Sequence, residues 1–172
     1  MAVVNVKASA VTSADGTPQV LTTTKVAGGR LKELRGTVEL ANGDSIASTY
    51  RIGRVHSSWL PSQLIKLSDA ITSGAADFGL ADTAANGGAA VSAAFFASAV
   101  SIASADVVGT DITHEAAGAT VYGEIANIEK RIWEALALTA DPNKYYDLTA
   151  TLTAATTAAG TLSVIFRYMD GN

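Results

Sequence analysis

At 172 residues, with no cysteine and a formal charge of −4, the chain can bury a full single-domain core without staples, but it cannot form a disulfide, a thiolate metal site or a cysteine nucleophile. Hydrophobic residues make up 48% of it and charged residues only 16%, so much of the surface must be Thr, Ser, Ala and Gly, as in a subunit covered by its neighbours. The acidic balance and the scatter of the 12 basic residues, with Lys130-Arg131 the only adjacent pair, exclude a clustered nucleic-acid surface.

Residues 1–30 show no sustained period and read as an extended N-terminal arm, with residues 31–172 as the folded domain. Val3, Val4 and Val6 form a short β-prone piece. Asp15-Gly16-Thr17-Pro18 is a turn signal, and Val20 and Leu21 open a loosely alternating stretch that Gly28-Gly29 ends. Met1-Ala2-Val3-Val4 lacks a basic leader region, so no secretory signal is expected.

From Leu34 to Leu40 apolar and polar residues alternate, which predicts a half-buried strand. Asn42-Gly43-Asp44 is a strong hairpin signal, because Asn and Gly tolerate positive φ, and Ile46, Ser48, Tyr50 and Ile52 are expected to run back beside the first strand. Trp59 follows in a connection closed by Pro61. A further strand is expected over 64–71, with Ile65, Leu67 and Ile71 on one side, and another over 76–80.

The centre is less regular. Ser92 is placed to cap a helical turn over 93–98 that presents Phe95 or Phe96 inward. Short strands are expected at 100–102, 107–112 and 121–125. Asn127 then caps a helix over 128–138, with Ile128, Ile132 and Leu136 at helical spacing, and Asp141-Pro142-Asn143 stops it. The uncharged run between Asp82 and Asp106 is broken by Gly87-Gly88 and diluted by serines, which argues against a membrane span.

The last 25 or so residues carry the clearest pattern. Tyr146, Leu148, Ala150 and Leu152 alternate with Asp147 and threonines, and Leu162, Val164, Phe166 and Tyr168 alternate with Thr161, Ser163 and Arg167. These read as two facing strands of a hairpin joined by the small residues 154–160. A hairpin cannot bury that face alone, so a second layer is required. The pattern as a whole predicts an all-β fold, an antiparallel β-sandwich with one or two short helices.

No catalytic constellation is expected. His56 and His114 are the only histidines and lack metal-ligand spacing; Ser57-Ser58 has no nucleophile elbow; Asp77, Asp82, Asp106 and Asp111 form no calcium loop; and Gly28-Gly29 and Gly87-Gly88 lack the Lys-Ser/Thr of a phosphate loop. No cofactor or metal is expected, and the chain reads as a non-enzyme.

Several stretches, in order, resemble a family of small tailed-bacteriophage head proteins, the decoration or cement proteins. They are Asp77-Phe78-Gly79-Leu80-Ala81-Asp82-Thr83 with Gly87-Gly88 and Val91, then Phe95-Phe96-Ala97, then 128–136, then Asp141-Pro142 and Tyr146-Asp147-Leu148. Related sequences tend to carry an aromatic where Ala81 stands, and the first 30 residues lie outside the resemblance. The resemblance implies a jelly-roll-like sandwich made in the bacterial cytoplasm and placed on the capsid exterior, with the major capsid protein and further copies of itself (as a dimer or trimer) as partners. The candidate interface is then the arm, through Val3, Val4, Val6, Val20 and Leu21, together with Trp59. A tail or baseplate protein and a carbohydrate-binding module are the competing expectations.

Overall fold

A computed structural model describes residues 6–21, 28–114 and 121–170. Eight strands follow one short helix, α1 (Ser9–Ala14): β1 (Leu31–Leu40), β2 (Thr49–His56), β3 (Leu60–Ser68), β4 (Ala75–Asp82), β5 (Ala90–Ser101), β6 (Asp106–Asp111), β7 (Tyr145–Ala154) and β8 (Gly160–Met169). A four-residue helix, α2 (Ile132–Ala135), lies between β6 and β7.

The strands form two antiparallel four-stranded sheets, ordered β1-β8-β3-β6 and β2-β7-β4-β5. Strands whose numbers add up to nine are neighbours, as in one long ribbon folded at the β4–β5 turn. Rolling that ribbon adds the β3–β8 and β4–β7 pairings. This is the jelly roll, two packed sheets whose strands alternate between layers. The expectation of an all-β, jelly-roll-like sandwich with short helices holds.

That topology corrects two expected hairpins. Asn42-Gly43-Asp44 joins β1 of one sheet to β2 of the other, and β7 and β8 face each other across the core instead of pairing edge to edge. Alternation shows which side of a strand is buried, and it is the same for a partner in the same sheet or the opposite one. The two inter-sheet loops are bonded together through buried Thr156. Its hydroxyl donates to the Ala41 carbonyl at 2.7 Å, and its backbone oxygen accepts the Gly43 N–H at 3.0 Å.

The core lies between the sheets and is built on fully buried Phe78, Phe95, Phe96, Tyr122, Tyr146 and Phe166. Phe96 from β5 meets Phe166 from β8 at 5.7 Å between ring centroids, joining the two layers. The predicted inward faces of the last two strands are as found, with Tyr146, Leu148, Ala150, Leu152, Leu162, Val164, Phe166 and Tyr168 all buried.

Elsewhere the expectations need correction. The helical turn over 93–98 is part of β5, where one residue of β4, Gly79, stands opposite four of β5, residues 93–96. This wide bulge sends two consecutive phenylalanines inward, which a regular strand cannot do. A Cβ on Gly79 would lie 2.1 Å from the Ser92 carbonyl oxygen, so glycine is what lets the bulge close over β4. In β3 the expected phase is inverted: Leu64, Lys66 and Ser68 are buried, while Ile65 and Leu67 lie on the outer face.

Residues 121–125 form turns, not a strand, and the helix expected over 128–138 shrinks to α2, with Arg131 and not Asn127 as its N-cap. The backbone there is bonded elsewhere. The N–H groups of Ile132 and Trp133 donate to the carbonyls of Trp59 and Ser57, at 3.0 and 3.1 Å, tying α2 to the β2–β3 turn. The arm holds α1 where an extended chain was expected, and none of the helix's residues is buried.

Candidate interaction surface

Consecutive strands run up and down, so the connections gather at two ends of the sandwich. At one end lie the start of β1, the β2–β3 turn, the β4–β5 and β6–β7 connections and the end of β8. The β2–β3 turn sets Trp59 there. Its indole stacks on Tyr168 at 3.8 Å and 13°, and meets Tyr145 edge to face at 6.5 Å. Trp59 is partly buried against the core, so this candidate contact residue also closes the end of the fold.

Beside it, His56, Ser58, Trp59, Asn143, Tyr145 and Asp170 line a cleft of about 150 Å3. His56 and Tyr145 pack edge to face at 4.8 Å. The His56 Nδ1 accepts the Ser58 N–H at 3.2 Å and lies 2.8 Å from the Ser58 hydroxyl. The neighbouring Ser57 hydroxyl donates instead to Asp141, at 2.5 Å. A carboxylate on one serine and an imidazole on the next is not the acid–base–nucleophile series of a hydrolase; the two contacts close adjacent turns. Burial pushes the Asp141 carboxyl up, but the Ser57 hydroxyl and the Asn143 N–H outweigh it and hold it below the usual carboxylate range.

The four aspartates once open to a calcium reading are dispersed, each with its own partners. Asp77 holds the β5 bulge by accepting the Ala99 N–H at 2.7 Å. Asp82 pairs with Lys144 at 2.6 Å. Asp111 accepts the Thr113 N–H at 2.9 Å and a Gln63 amide hydrogen at 3.1 Å. Asp106 accepts the Thr110 hydroxyl at 2.7 Å and lies 3.3 Å from the buried Lys66 ammonium. The Thr110 bond, helped by the Gly109 N–H and Lys66, outweighs burial and lowers the Asp106 pKa. Among the described residues no three His, Asp or Glu side chains gather as a metal-binding group. Among them too, no helix is long and apolar enough to cross a membrane.

The arm gives three of its candidate residues to solvent, Val6, Val20 and Leu21, while Val3 and Val4 lie outside the described residues. The hydrogen bonds described for residues 6–21, including Lys7 to Asp15 at 2.7 Å, close within that segment.

Sequence reasoning missed two surfaces. The first is the cleft, whose Tyr145, half exposed, is the residue just before the strand pattern begins. The second is the β6 edge, where Val107 and Val108 are both strongly exposed; the signal available was a pair of adjacent valines in a short segment between Asp106 and Gly109.

No protein-family model matches the chain, and no curated protein matches it in sequence. In fold it is similar to a chain of the cyanophage Pam1 capsid asymmetric unit, with a TM-score of 0.52 and 16% sequence identity, over 91% of this chain and 95% of that one. At that identity the likeness is one of architecture, and the mutual coverage means that the neighbour contains little beyond this fold.

Proposed function

We propose that the chain is a non-enzymatic structural protein of a tailed-phage virion, which decorates the head and cements the shell of its major capsid protein from outside. The observation that carries this reading is the near-complete mutual coverage with a capsid chain. A similarly sized chain of a phage capsid shares this fold over 95% of its length, against 91% of this one. The order of sequence stretches that resemble decoration proteins points the same way.

The physical requirements of such a role suit the molecule. A cement protein needs a rigid body and several weak tethers, whose simultaneous engagement raises the effective concentration of each. The sandwich supplies the body, and the exposed apolar residues of the arm and of β6 supply tethers. Its acidity fits the outer surface better than a lining that faces packaged DNA.

The experiment is to add the purified full-length chain to phage heads that lack it. Co-sedimentation with the heads, and heads that survive to a higher temperature, is the expected result. A chain that stays in the supernatant contradicts the reading. Imaging of labelled virions separates head from tail or baseplate attachment.

One observation favours a second reading, a carbohydrate-binding module. The cleft sets Tyr145 and Trp59 beside Asn143, Asp170 and His56, and aromatic faces beside polar side chains are what pyranose rings require. Binding to a glycan array that Tyr145→Ala abolishes would establish this reading in place of cementing.

A further inference from the structure

The two ends of the sandwich differ in charge. The end opposite Trp59 carries the β1–β2, β3–β4, β5–β6 and β7–β8 connections. Glu39, Asp44, Asp69, Asp77 and Asp106 lie in or near them, and Lys66 is the one cation among them. Arg51, the next nearest, turns away to the Asp82 and Gly88 carbonyls at the Trp59 end, each at 2.8 Å. Five carboxylates against one ammonium leave −4, which is the formal charge of the entire chain, so everything else sums to zero.

Most of these carboxylates are held by hydrogen bonds and not by ion pairs. Glu39 accepts the Thr161 hydroxyl at 2.8 Å, Asp69 the Thr161 N–H at 3.1 Å and Asp77 the Ala99 N–H at 2.7 Å, while Asp44 accepts the Tyr50 hydroxyl. Among the described residues only Asp106 has a cationic partner there, Lys66 at 3.3 Å. Covering this end would take uncompensated charge out of water, at a cost that neutral donors do not offset.

At the Trp59 end charges are paired, Lys32 with Asp170 at 2.5 Å and Lys144 with Asp82 at 2.6 Å. Leu31, Ile125, Ile128 and Tyr145 are all more than half exposed there. Met169 stands between Leu31 and Leu60 on neighbouring strands. With Leu60, Pro61, Ser62, Ile128 and Glu129 it lines a groove of about 320 Å3. The cleft of Trp59 and Tyr145 opens at the same end. Among the described residues the loops of the far end expose one large apolar side chain, Ile46. Trp, Tyr and Met beside aliphatic side chains, with little unpaired charge, is the composition of an interface core.

This contrast selects the occupant. If the chain cements a shell, one of its ends has to meet that shell. Were two copies to bury their Trp59 ends against each other, only acidic ends would be left for it. The chain also enters β1 at Leu31, so the arm leaves the sandwich from the Trp59 end.

We propose that each copy seats on the shell by its Trp59 end, against an apolar patch of the shell protein, and turns its acidic end to solvent. The inference rests on the cementing reading and adds the orientation to it. Carboxylates pointing outward from every copy give the particle a negative skin, which keeps particles apart.

The test uses the full-length chain and phage heads that lack it. Hydroxyl-radical footprinting of the decorated heads is expected to protect Tyr145, Met169 and Ile128, and to leave Ile46 as reactive as in the free chain. Ile125→Asp with Ile128→Asp, at exposed positions, is expected to weaken co-sedimentation about tenfold or more, while Glu39→Lys with Ile46→Asp leaves it unchanged. Attachment is expected to hold from about 0.05 M to about 0.5 M salt, where an acidic seat on a basic partner would be screened and released. Protection of Ile46, full binding by the chain substituted at Ile125 and Ile128, or release by salt overturns the proposal. Footprinting needs no variant, so the test stands even where one fails to fold. A wild type that does not sediment with heads overturns the cementing reading itself, a result distinct from binding by the wrong end.

Discussion

Gly79 and Gly36 mark the places where two backbones approach too closely for any side chain. A Cβ on Gly36 would lie 2.1 Å from the Ile52 carbonyl oxygen, where β1 and β2 bring the two sheets together at one side of the sandwich. At Gly79 the obstacle is likewise backbone, the Ser92 and Ala93 carbonyl oxygens, which cannot rotate aside. Gly79→Ala is therefore expected to destabilise the protein by about 1–3 kcal/mol, the usual cost of overpacking, read from urea unfolding midpoints at unchanged slope. Gly43→Ala, where φ is +89 but nothing lies within 4 Å of the added carbon, is strained without a clash and is expected to cost less.

Tyr50 and Asp44 show how a single contact writes itself into the pH profile. The Tyr50 hydroxyl donates to the Asp44 carboxylate, which also accepts the Ala41 N–H at 2.7 Å. These bonds, Tyr50 first, lower the Asp44 pKa, while burial first and then Asp44 raise that of Tyr50. A carboxylate with a depressed folded pKa contributes stability above its unfolded value of about 4, and that contribution is lost as pH falls through the folded value. A phenol with a raised folded pKa contributes below about 10, and loses it as pH rises. Tyr50→Phe removes the phenol's contribution and the larger part of Asp44's, leaving the Ala41 N–H on the carboxylate. It is expected to lower the melting temperature at neutral pH, and to leave a shallower fall in melting temperature both below pH 4 and above pH 10 than the wild type shows.

At the scale of elements, strands were legible in the sequence wherever one face was uniformly apolar, as in β7 and β8, and illegible where the backbone departed from period two. Phe95-Phe96 read as a helical turn because adjacent inward aromatics violate a strand's alternation; only the four-residue bulge opposite Gly79 reconciles them. The segment 128–138 read as a helix by spacing, yet Ile128 is exposed and the backbone of 132–133 is bonded to the β2–β3 turn. That tertiary contact has no local sequence signal. The candidate interface was half legible: exposed arm residues came from the lack of pattern before Leu31, whereas the cleft and the β6 edge depend on which strands end up at the sheet margins.

β3 was read in the wrong phase because Ile65 and Leu67 outweigh Lys66 on any hydropathy scale. What places Lys66 inside is its partner, Asp106, on the neighbouring edge strand. The Lys66 side chain is 6% exposed, and its ammonium also donates to the Ser101 carbonyl at 3.2 Å. A buried charge that loses its counter-charge is costly, while loss of the charge itself is tolerated if the site can be filled. Asp106→Asn is therefore expected to destabilise the fold by about 3 kcal/mol or more, and Lys66→Met by clearly less, because Asp106 keeps Thr110 and the Gly109 N–H. Equal losses in thermal denaturation would contradict this assignment.

For the whole molecule, the jelly roll explains how a chain with no cysteine and only 16% charged residues can be stable. Two sheets bury one large aromatic core, and cross-strand bonds such as Thr37 to Ser163 at 2.8 Å and Arg167 to Glu33 at 2.9 Å knit the outer face of one of them. Among the described residues, large apolar side chains stay exposed on the arm, on β6 and at Ile125 and Ile128 in the β6–β7 connection, and at Leu31 and Ile46 beside β1 and β2. Surfaces of that kind gain free energy by being covered.

Cryo-electron microscopy of the intact virion tests this account most directly. It predicts an eight-stranded sandwich on the outer surface of the head, seated where major capsid subunits meet, at a fixed ratio to them. Heads whose outer surface lacks that density, with the chain found in the tail or missing from the particle, would contradict it.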